Sequence, residues 1–306
     1  MLKDSCIAGR IGGFATVIRC EWKVPRSARD SSAENQRALP PVGTTNEGSR
    51  TVFDSYRNKY ENVSMKREDG ILEVALHSGG GPLVFDGYVH EALAGAFRDI
   101  GDDPENHVVI LTGTGNQFCA QIKPDGFDFF TPTGYDKILR EGTKVLENIL
   151  DIQVPMIAAI NGPVTVHSEY ALLCDIVIAT EDTYFQDAPH PAFGIVPGDG
   201  LHIVWPEVIG EIRGRYFLLS GQKLSAAQAK EYGAVNEVVS REALLPRAWE
   251  LARHMNKQSP LTLRYTRMAL STRFRRRFQE GLSYGLALEG ISAAQVALLN
   301  AQKAKG

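Results

Sequence analysis

Short apolar segments alternate with stretches of helical period between about residue 60 and residue 250. Residues 108–112 and 154–160 are mostly apolar, and each run is followed by a glycine-containing turn, which predicts buried strands. Residues 138–150 place apolar side chains three and four positions apart, as an amphipathic helix does. Strands that alternate with helices in this way indicate an α/β fold.

The same pattern places the remaining elements. Residues 63–67 and 71–77 alternate like the strands of a hairpin around Glu68, Asp69 and Gly70. Further strands are predicted over 176–179, 183–186 and 235–239, and helices over 91–100, 171–173, 203–209, 214–219, 226–232 and 243–256. Two last helices, over 261–273 and 278–301, are rich in Leu and Ala. We expect them to pack on the core or on a neighbouring subunit.

Three regions follow from this organisation. Residues 1–48 mix Arg, Ser, Pro and Gly without sustained periodicity, which predicts a flexible N-terminal extension. No apolar segment typical of a secretory signal lies there, and acidic residues disfavour the alternative of a transit peptide. Residues 49–250 are assigned to the core, and residues 251–306 to a C-terminal helical region.

Composition narrows the class of protein. The chain has 306 residues, 43% hydrophobic and 23% charged, as ordinary globular proteins do, and no apolar run of transmembrane length. A net charge of -3 gives no reason to expect nucleic acid or an anionic membrane as a partner. The four cysteines show no paired spacing, which favours a reducing, cytoplasmic location, with Cys119 and Cys174 as buried thiols.

Histidines and acidic residues concentrate in two turn-rich segments. His167 lies in residues 161–170, and Asp187, His190, Asp199 and His202 lie among glycines and prolines in residues 185–206. Turns at the ends of rigid elements expose side chains, and a histidine beside a carboxylate makes a base that works near neutral pH. The pattern predicts an enzyme that activates water. For His202, at the start of a helix, a structural role is favoured.

Several alternatives remain open from the residues alone. Asp199 is compatible with a helix cap, and Asp187 with either a turn cap or a place in the site. His167, His190 and Asp199 are also the residue types of a two-histidine, one-carboxylate metal site. The glycine run at residues 79–81 lacks the strand–glycine–helix context of a dinucleotide-binding loop, and no G-x-S-x-G elbow lies between a predicted strand and a predicted helix, which disfavours a serine hydrolase.

Several segments resemble the crotonase (enoyl-CoA hydratase/isomerase) superfamily in order and spacing. They are VVILTGTGNQFCA, VPMIAAINGPV, CDIVIATEDTYF, FGIVPGDGLHIVWPEVIG, YFLLSGQKLSAAQAKEYGAVNEVVS and LLPRAWELAR. The resemblance implies a core made of a spiral of β-β-α units. It also implies a C-terminal helical trimerisation region, so a homotrimer or a dimer of trimers is expected.

Within the superfamily, four further motifs resemble the cofactor-free β-diketone hydrolases of the 6-oxocamphor hydrolase type. They are PVTVH ending at His167, FQDAPH ending at His190, GIVPGDG holding Asp199 and LALEG holding Glu289. The resemblance implies that these four residues are catalytic and that Phe85, where a Trp is usual, contacts the substrate. It implies no cofactor and no metal. The expected substrate is a cyclic or bicyclic 1,3-diketone, whose C–C bond is cleaved by water in a retro-Claisen reaction.

The roles expected of these residues follow the logic of a hydrolytic triad in which water replaces serine. His190 is expected to be the base, with Asp199 orienting it. His167 is expected to donate to a substrate oxygen, and Glu289 to position water or carry the last proton. The alternatives are a CoA-thioester hydratase, isomerase or hydrolase, or an inactive assembly subunit. Hydratases use two glutamates; Glu169 aligns with one, but His190 replaces the other.

Overall fold

The computed structural model describes residues 51–303. The predicted extension, residues 1–48, lies outside the described residues. A six-stranded sheet forms the centre of the described part, with the strand order β1-β2-β4-β6-β7-β10. Its strands are β1 (Val63–Glu68), β2 (Ile71–Leu76), β4 (Val108–Gly113), β6 (Met156–Ile160), β7 (Ile176–Thr180) and β10 (Glu237–Val239). β1 and β2 pair as the predicted antiparallel hairpin, and the other pairs are parallel.

The sheet is covered on both faces, so its central strands are apolar throughout, as parallel strands require. Alternate residues of β4 enter two different cores. Val109 and Leu111 join the larger core. Val108 and Ile110 join the smaller one, against Trp249 and its neighbours. The helices involved are α2 (Gly87–Asp102) and α3 (Pro132–Asp151), which pack on each other, and α9 (Arg241–Met255).

Short strands form a second layer beside the main sheet. β3 (Val84–Phe85) pairs in parallel with β5 (Gln121–Ile122), and β8 (Tyr184–Phe185) pairs antiparallel with β9 (Leu224–Ser225). Single bridges join Cys119 to Val164 and Val164 to Phe185. The chain therefore returns to this layer after successive strands of the main sheet. Apart from residues 183–186, these strands were not predicted.

The remaining helices are short except the last. They are α1 (Val52–Tyr56), α4 (Glu169–Leu172), α5 (Pro189–Phe193), α6 (Leu201–Ile209), α7 (Glu211–Ser220), α8 (Ala226–Glu231) and α10 (Pro260–Lys303). The two helices predicted over 261–273 and 278–301 are one continuous helix of 44 residues. The break predicted between residues 273 and 278 was wrong. The arginines of this segment remain in the helix and form ion pairs with the rest of the chain, Arg275 with Asp151 and Arg277 with Glu207.

α10 is long and apolar enough to cross a bilayer by length and composition alone, with a mean hydropathy of 1.3 over its best 18 residues, of which 28% are buried. Helices that pack on a soluble core meet the same criterion. Its buried residues include Leu282, Leu286 and Glu289. α10 therefore brings its middle section against the core and places one buried carboxyl group there.

Candidate active site

A cavity of about 60 Å³, here called the catalytic cavity, lies beside the layer of short strands. It is lined by His167, His190, Asp199 and Glu289, which the sequence predicted, and by Asp187. The short strands explain this convergence. His167 follows the bridged residue Val164 by three positions, and Asp187 follows the end of β8 by two.

His167 is held by stacking and by an unusual backbone. Its φ of 49° lies in the left-handed region, which costs a residue other than glycine about 1–3 kcal/mol and is found most often at functional sites. The ring stacks on Tyr170 with centroids 4.8 Å apart and lies 4.2 Å from the ring of Phe85. Phe85, predicted to contact substrate, is fully buried behind His167 and does not line the cavity. It supports the histidine instead.

Burial determines the protonation state of the His167 ring. It lowers the pKa of the imidazole to about 4, so the ring is neutral near pH 7. Nδ1 lies 2.7 Å from Oε1 of Glu169. Burial, and then the charge of Asp199, raise the pKa of Glu169 well above its usual value, which favours its protonated form. When Glu169 is protonated it donates to Nδ1, and Nε2 of His167 is then the N–H donor.

His190 lies on the one-turn helix α5, and Asp187 fixes its ring. Nδ1 is 2.7 Å from Oδ1 of Asp187, three residues earlier in the chain. Nε2 faces Asp199 Oδ2 at 3.6 Å. The carboxylate that holds Nδ1 is therefore Asp187, whereas Asp199, which was predicted to orient His190, lies at Nε2. Asp187, left open between a cap and the site, belongs to the site.

Asp199 lies between the two histidines. Its Oδ2 is 3.4 Å from Nδ1 of His167 as well as 3.6 Å from His190. Burial alone would raise the pKa of Asp199, but the charge of His190 is the largest opposing cause, and the pKa lies below its usual value. The N-cap of α6 is Gly200, which has no side chain to cap the helix, and Asp199 lines the catalytic cavity.

The charges around His190 favour its imidazolium. Burial lowers the pKa, but Asp199 and then Asp187 outweigh it and raise the pKa of His190 to about 10. The pKa of Glu289 is raised too, but for a carboxyl group a raised pKa favours the neutral form. Burial, and then the charge of Asp199, raise the pKa of Glu289 to about 8, so it is a neutral carboxylic acid at pH 7. The resting site thus holds one cation between two carboxylates, with neutral donors beside them.

Close backbone contacts explain how Glu289, so distant in sequence, reaches this site. A Cβ on Gly198 would lie 2.1 Å from the carbonyl oxygen of Gly285, so the 196–200 loop touches α10 directly. His202 sits at the same junction, with its ring nitrogens 3.2 Å from Pro197 O and 3.3 Å from Gly281 O. Its predicted structural role is confirmed by these contacts.

Among the polar side chains that line the catalytic cavity, only His90 was missed by the sequence reasoning. His90 is buried on α2, and its Nδ1 lies 3.3 Å from Oε2 of Glu141 on α3. Burial lowers its pKa. In the sequence His90 is one polar position on an otherwise apolar helix face. Its partner lies 51 residues away, so only the packing of α2 on α3 reveals the pair.

Two sets of side chains could supply ligands to a cation: His167, Glu169 and Asp199, and His190, Asp199 and Glu289, each with ligand atoms within 4.8 Å of one another. One carboxylate oxygen of each acidic residue in these sets has no hydrogen-bond partner. A metal would have to displace the protons that burial favours on Glu169 and Glu289. The same unpaired oxygens are equally suited to water and to substrate oxygens.

This chain is similar to known proteins in sequence and in fold. A family model described as enoyl-CoA hydratase/isomerase matches residues 67–290. A solved β-diketone hydrolase from the cyanobacterium Anabaena sp., bound to (S)-3-oxocyclohexyl acetic acid, is 50% identical. That match covers 81% of this chain and 99% of the other, with a TM-score of 0.78. The crotonase fold predicted from the motifs is confirmed by these matches.

Curated relatives carry CoA-related names. An enoyl-CoA isomerase/hydratase of Mycosarcoma maydis is 33% identical over 171 residues, which are 56% of this chain and 62% of that protein, less than two thirds of its length. A carnitinyl-CoA dehydratase of Salmonella typhimurium is 30% identical over 213 residues, 66% of this chain and 77% of that protein. The names of the curated relatives and of the solved enzyme therefore refer to different kinds of substrate.

Proposed function

Because the chain belongs to the enoyl-CoA hydratase/isomerase family, and because its cavity holds a histidine–carboxylate set, we propose that it is a β-diketone hydrolase. It would cleave a C–C bond of a cyclic or bicyclic 1,3-diketone with water and release a keto acid. The observation that carries the proposal is the geometry of His190. Asp187 holds Nδ1, and Nε2 faces the cavity, as in a base that activates water.

The reaction balances with these groups alone. Neutral His190 takes a proton from water through Nε2 as the water oxygen attacks one carbonyl carbon. Nε2–H of His167 and the carboxylic acid of Glu289 donate to the developing oxyanion, and such donors contribute about 10²–10³ in rate each. The bond to the central carbon then breaks and leaves its electron pair as an enolate of the second carbonyl. The proton on His190 passes to that carbon and completes the keto acid.

The high pKa of His190 makes it a strong base present in a small fraction at neutral pH. A stronger base takes a proton from water more effectively, which offsets part of the loss from the low population of neutral His190. The proposal therefore includes a rise of activity with pH.

The competing function is chemistry on a CoA thioester, which the curated relatives support. Glu169 aligns with one glutamate that hydratases use. In this structure Glu169 is fully buried, bound to His167, and not part of the cavity lining. Hydration would need that carboxyl at the substrate, so the geometry favours the diketone.

The direct test uses the bicyclic diketone whose ring opening by water yields 3-oxocyclohexyl acetic acid, the compound bound in the Anabaena enzyme. Purified protein, treated with chelator and free of CoA, should convert it to the keto acid, as followed by chiral chromatography. Asp187→Asn protein is the matched control and should be nearly inactive. Faster turnover of crotonyl-CoA than of any diketone would overturn the proposal in favour of the CoA reaction. Loss of activity with chelator, restored by one metal, would overturn the metal-free mechanism.

A further inference from the structure

A second cavity adjoins the catalytic one. It has a volume of about 400 Å³, against about 60 Å³ for the catalytic cavity, and is here called the outer cavity. Four side chains line both cavities and so form the wall between them: Ile122, Phe129, Phe193 and Ile195. All four are apolar. The two spaces are therefore neighbours that share four apolar residues.

The far side of the outer cavity is apolar as well. Phe130 lines it from the segment before α3, Ala192 lines it from α5, and Ala293 and Val296 line it from α10. Among the described residues around it, Lys123 carries the one charged side chain, and that ammonium group is already 3.2 Å from both Asp86 and Asp125. An occupant of this space gains from burying hydrocarbon, since few polar groups are available to bind it.

The wall is coupled to the proposed base. Phe193 and His190 lie on the same one-turn helix α5, which ends at Gly194 in the left-handed conformation, with φ of 73°. The ring of Phe193 is 52% exposed, so it can turn without disturbing the core. A substituent that passes from the catalytic cavity into the outer cavity beside Phe193 is therefore within one helical turn of His190.

We infer that the outer cavity is a subsite for an apolar substituent of the substrate, an alkyl chain or a second hydrocarbon ring carried by the 1,3-diketone. This inference rests on the proposed function. The reacting carbonyl groups and the water would occupy the small catalytic cavity among the polar side chains. The hydrocarbon remainder would pass the Phe129 and Phe193 wall and fill the larger space, so the substrate class is a diketone larger and more apolar than an unsubstituted ring.

The test is a homologous series of 2-methyl-2-alkyl-cyclohexane-1,3-diones with methyl, propyl and pentyl chains. For the wild-type protein, kcat/KM should rise by about two- to fourfold per added methylene, because each buried CH₂ is worth up to about 0.8 kcal/mol. In Val296→Trp protein the indole fills the outer cavity, and the dependence on chain length should disappear. Gln295→Trp adds the same indole at an exposed neighbouring position of α10 that does not line the cavity, and should keep the dependence.

The outcomes separate the subsite from the proposed function. Cleavage of the methyl compound with no gain along the series would overturn the subsite and leave the hydrolase standing. A gain that persists in Val296→Trp would overturn the placement of the chain. If no diketone were cleaved, the proposed function would fail. Calorimetric Kd values of the corresponding keto acids would then decide about the subsite: they should fall with chain length in wild type and stay constant in Val296→Trp.

Discussion

Two aspartates face the two nitrogens of His190, and changing each to asparagine should have a different effect on the kinetics. Asp187→Asn keeps the shape but removes the carboxylate that fixes Nδ1–H and stabilises the imidazolium. Its kcat should fall by about 10³–10⁴, as when a triad loses its orienting aspartate. Asp199→Asn leaves Nδ1 oriented and removes the larger of the two charges that raise the pKa of His190. Its rising limb of kcat/KM should move to lower pH.

Steady-state kinetics of both variants across pH, with circular dichroism to verify folding, provide the measurement. The two substitutions are chemically identical, so each is the control for the other. An inactive Asp199→Asn protein beside an active Asp187→Asn protein would return the orienting role to Asp199.

A second prediction follows from the protonation states that the proposed mechanism needs, which are opposite for His190 and Glu289. It uses neutral His190, favoured above a pKa of about 10, and protonated Glu289, favoured below a pKa of about 8. The product of these two fractions rises about tenfold per pH unit up to the lower pKa and is level between the two. It falls above the upper pKa. Wild-type kcat/KM should therefore level off near pH 8, although His190 is still mostly protonated there.

Glu289→Gln isolates the second group, because an amide still donates a hydrogen bond but does not titrate. In this variant kcat/KM should continue to rise from pH 8 towards pH 10. The matched buffers and a folding check at each pH are the controls. A plateau that stays near pH 8 in Glu289→Gln would show that another group causes it.

The sequence could predict the residues of this site better than their pairing. His167, His190, Asp199 and Glu289 were found because motif order preserves residue identity. Which aspartate holds Nδ1 of His190 depends on the one-turn helix α5, which was not predicted. The distances of 2.7 and 3.6 Å that decide it follow from local backbone geometry that no periodicity encodes.

At the scale of elements, two-residue strands position the site, and they are too short to show an alternating pattern. Most of the main strands and most helices were predicted because each buries one face or both over four residues or more; β10, with three half-buried residues, is shorter. β3 and β5 exist only because each supplies a partner for the other across 37 residues of sequence, Val84 opposite Gln121. Such pairing is a tertiary property, so sequence pattern alone could not find it.

The contact between α10 and the 196–200 loop gives a prediction about elements. A Cβ on Gly285 would lie 2.2 Å from Cε1 of His202 and 2.6 Å from Gly198 O. Gly285→Ala should therefore push the helix away from the loop and cost about 1–3 kcal/mol of stability. Because Glu289 lies one turn further along α10, kcat should fall too.

Gly281→Ala, one turn earlier on α10, is the matched control. Its added Cβ would meet Cδ1 of Ile203 at 3.3 Å, a flexible contact, and alanine favours the helix. It should change stability by less than Gly285→Ala and preserve kcat. Urea denaturation and steady-state kinetics of the two variants test this. Equal losses of stability and kcat in both would mean that the close approach at Gly285 does not position Glu289.

For the whole molecule, large apolar side chains remain exposed on one side of α7: Ile212 is 76% exposed, Tyr216 64% and Leu219 89%. Their spacing of four and three residues places them on one helical face. α10 carries further exposed apolar residues, among them Leu270, Tyr284 and Ile291. Exposed apolar clusters of this kind mark interaction surfaces. The trimer or dimer of trimers expected from the sequence would cover such faces with identical subunits.

The purified protein should therefore elute with the mass of three or six chains in size-exclusion chromatography with light scattering. Leu219→Asp places a charge on the α7 face, where burial against a neighbouring subunit would leave it unpaired, and should shift the mass towards the monomer. Gln222→Asp, just beyond the end of α7, adds the same charge and should leave the mass unchanged. A wild-type monomer at micromolar concentration would contradict the assembly. A Leu219→Asp protein that remains folded and oligomeric would exclude the α7 face from the interface.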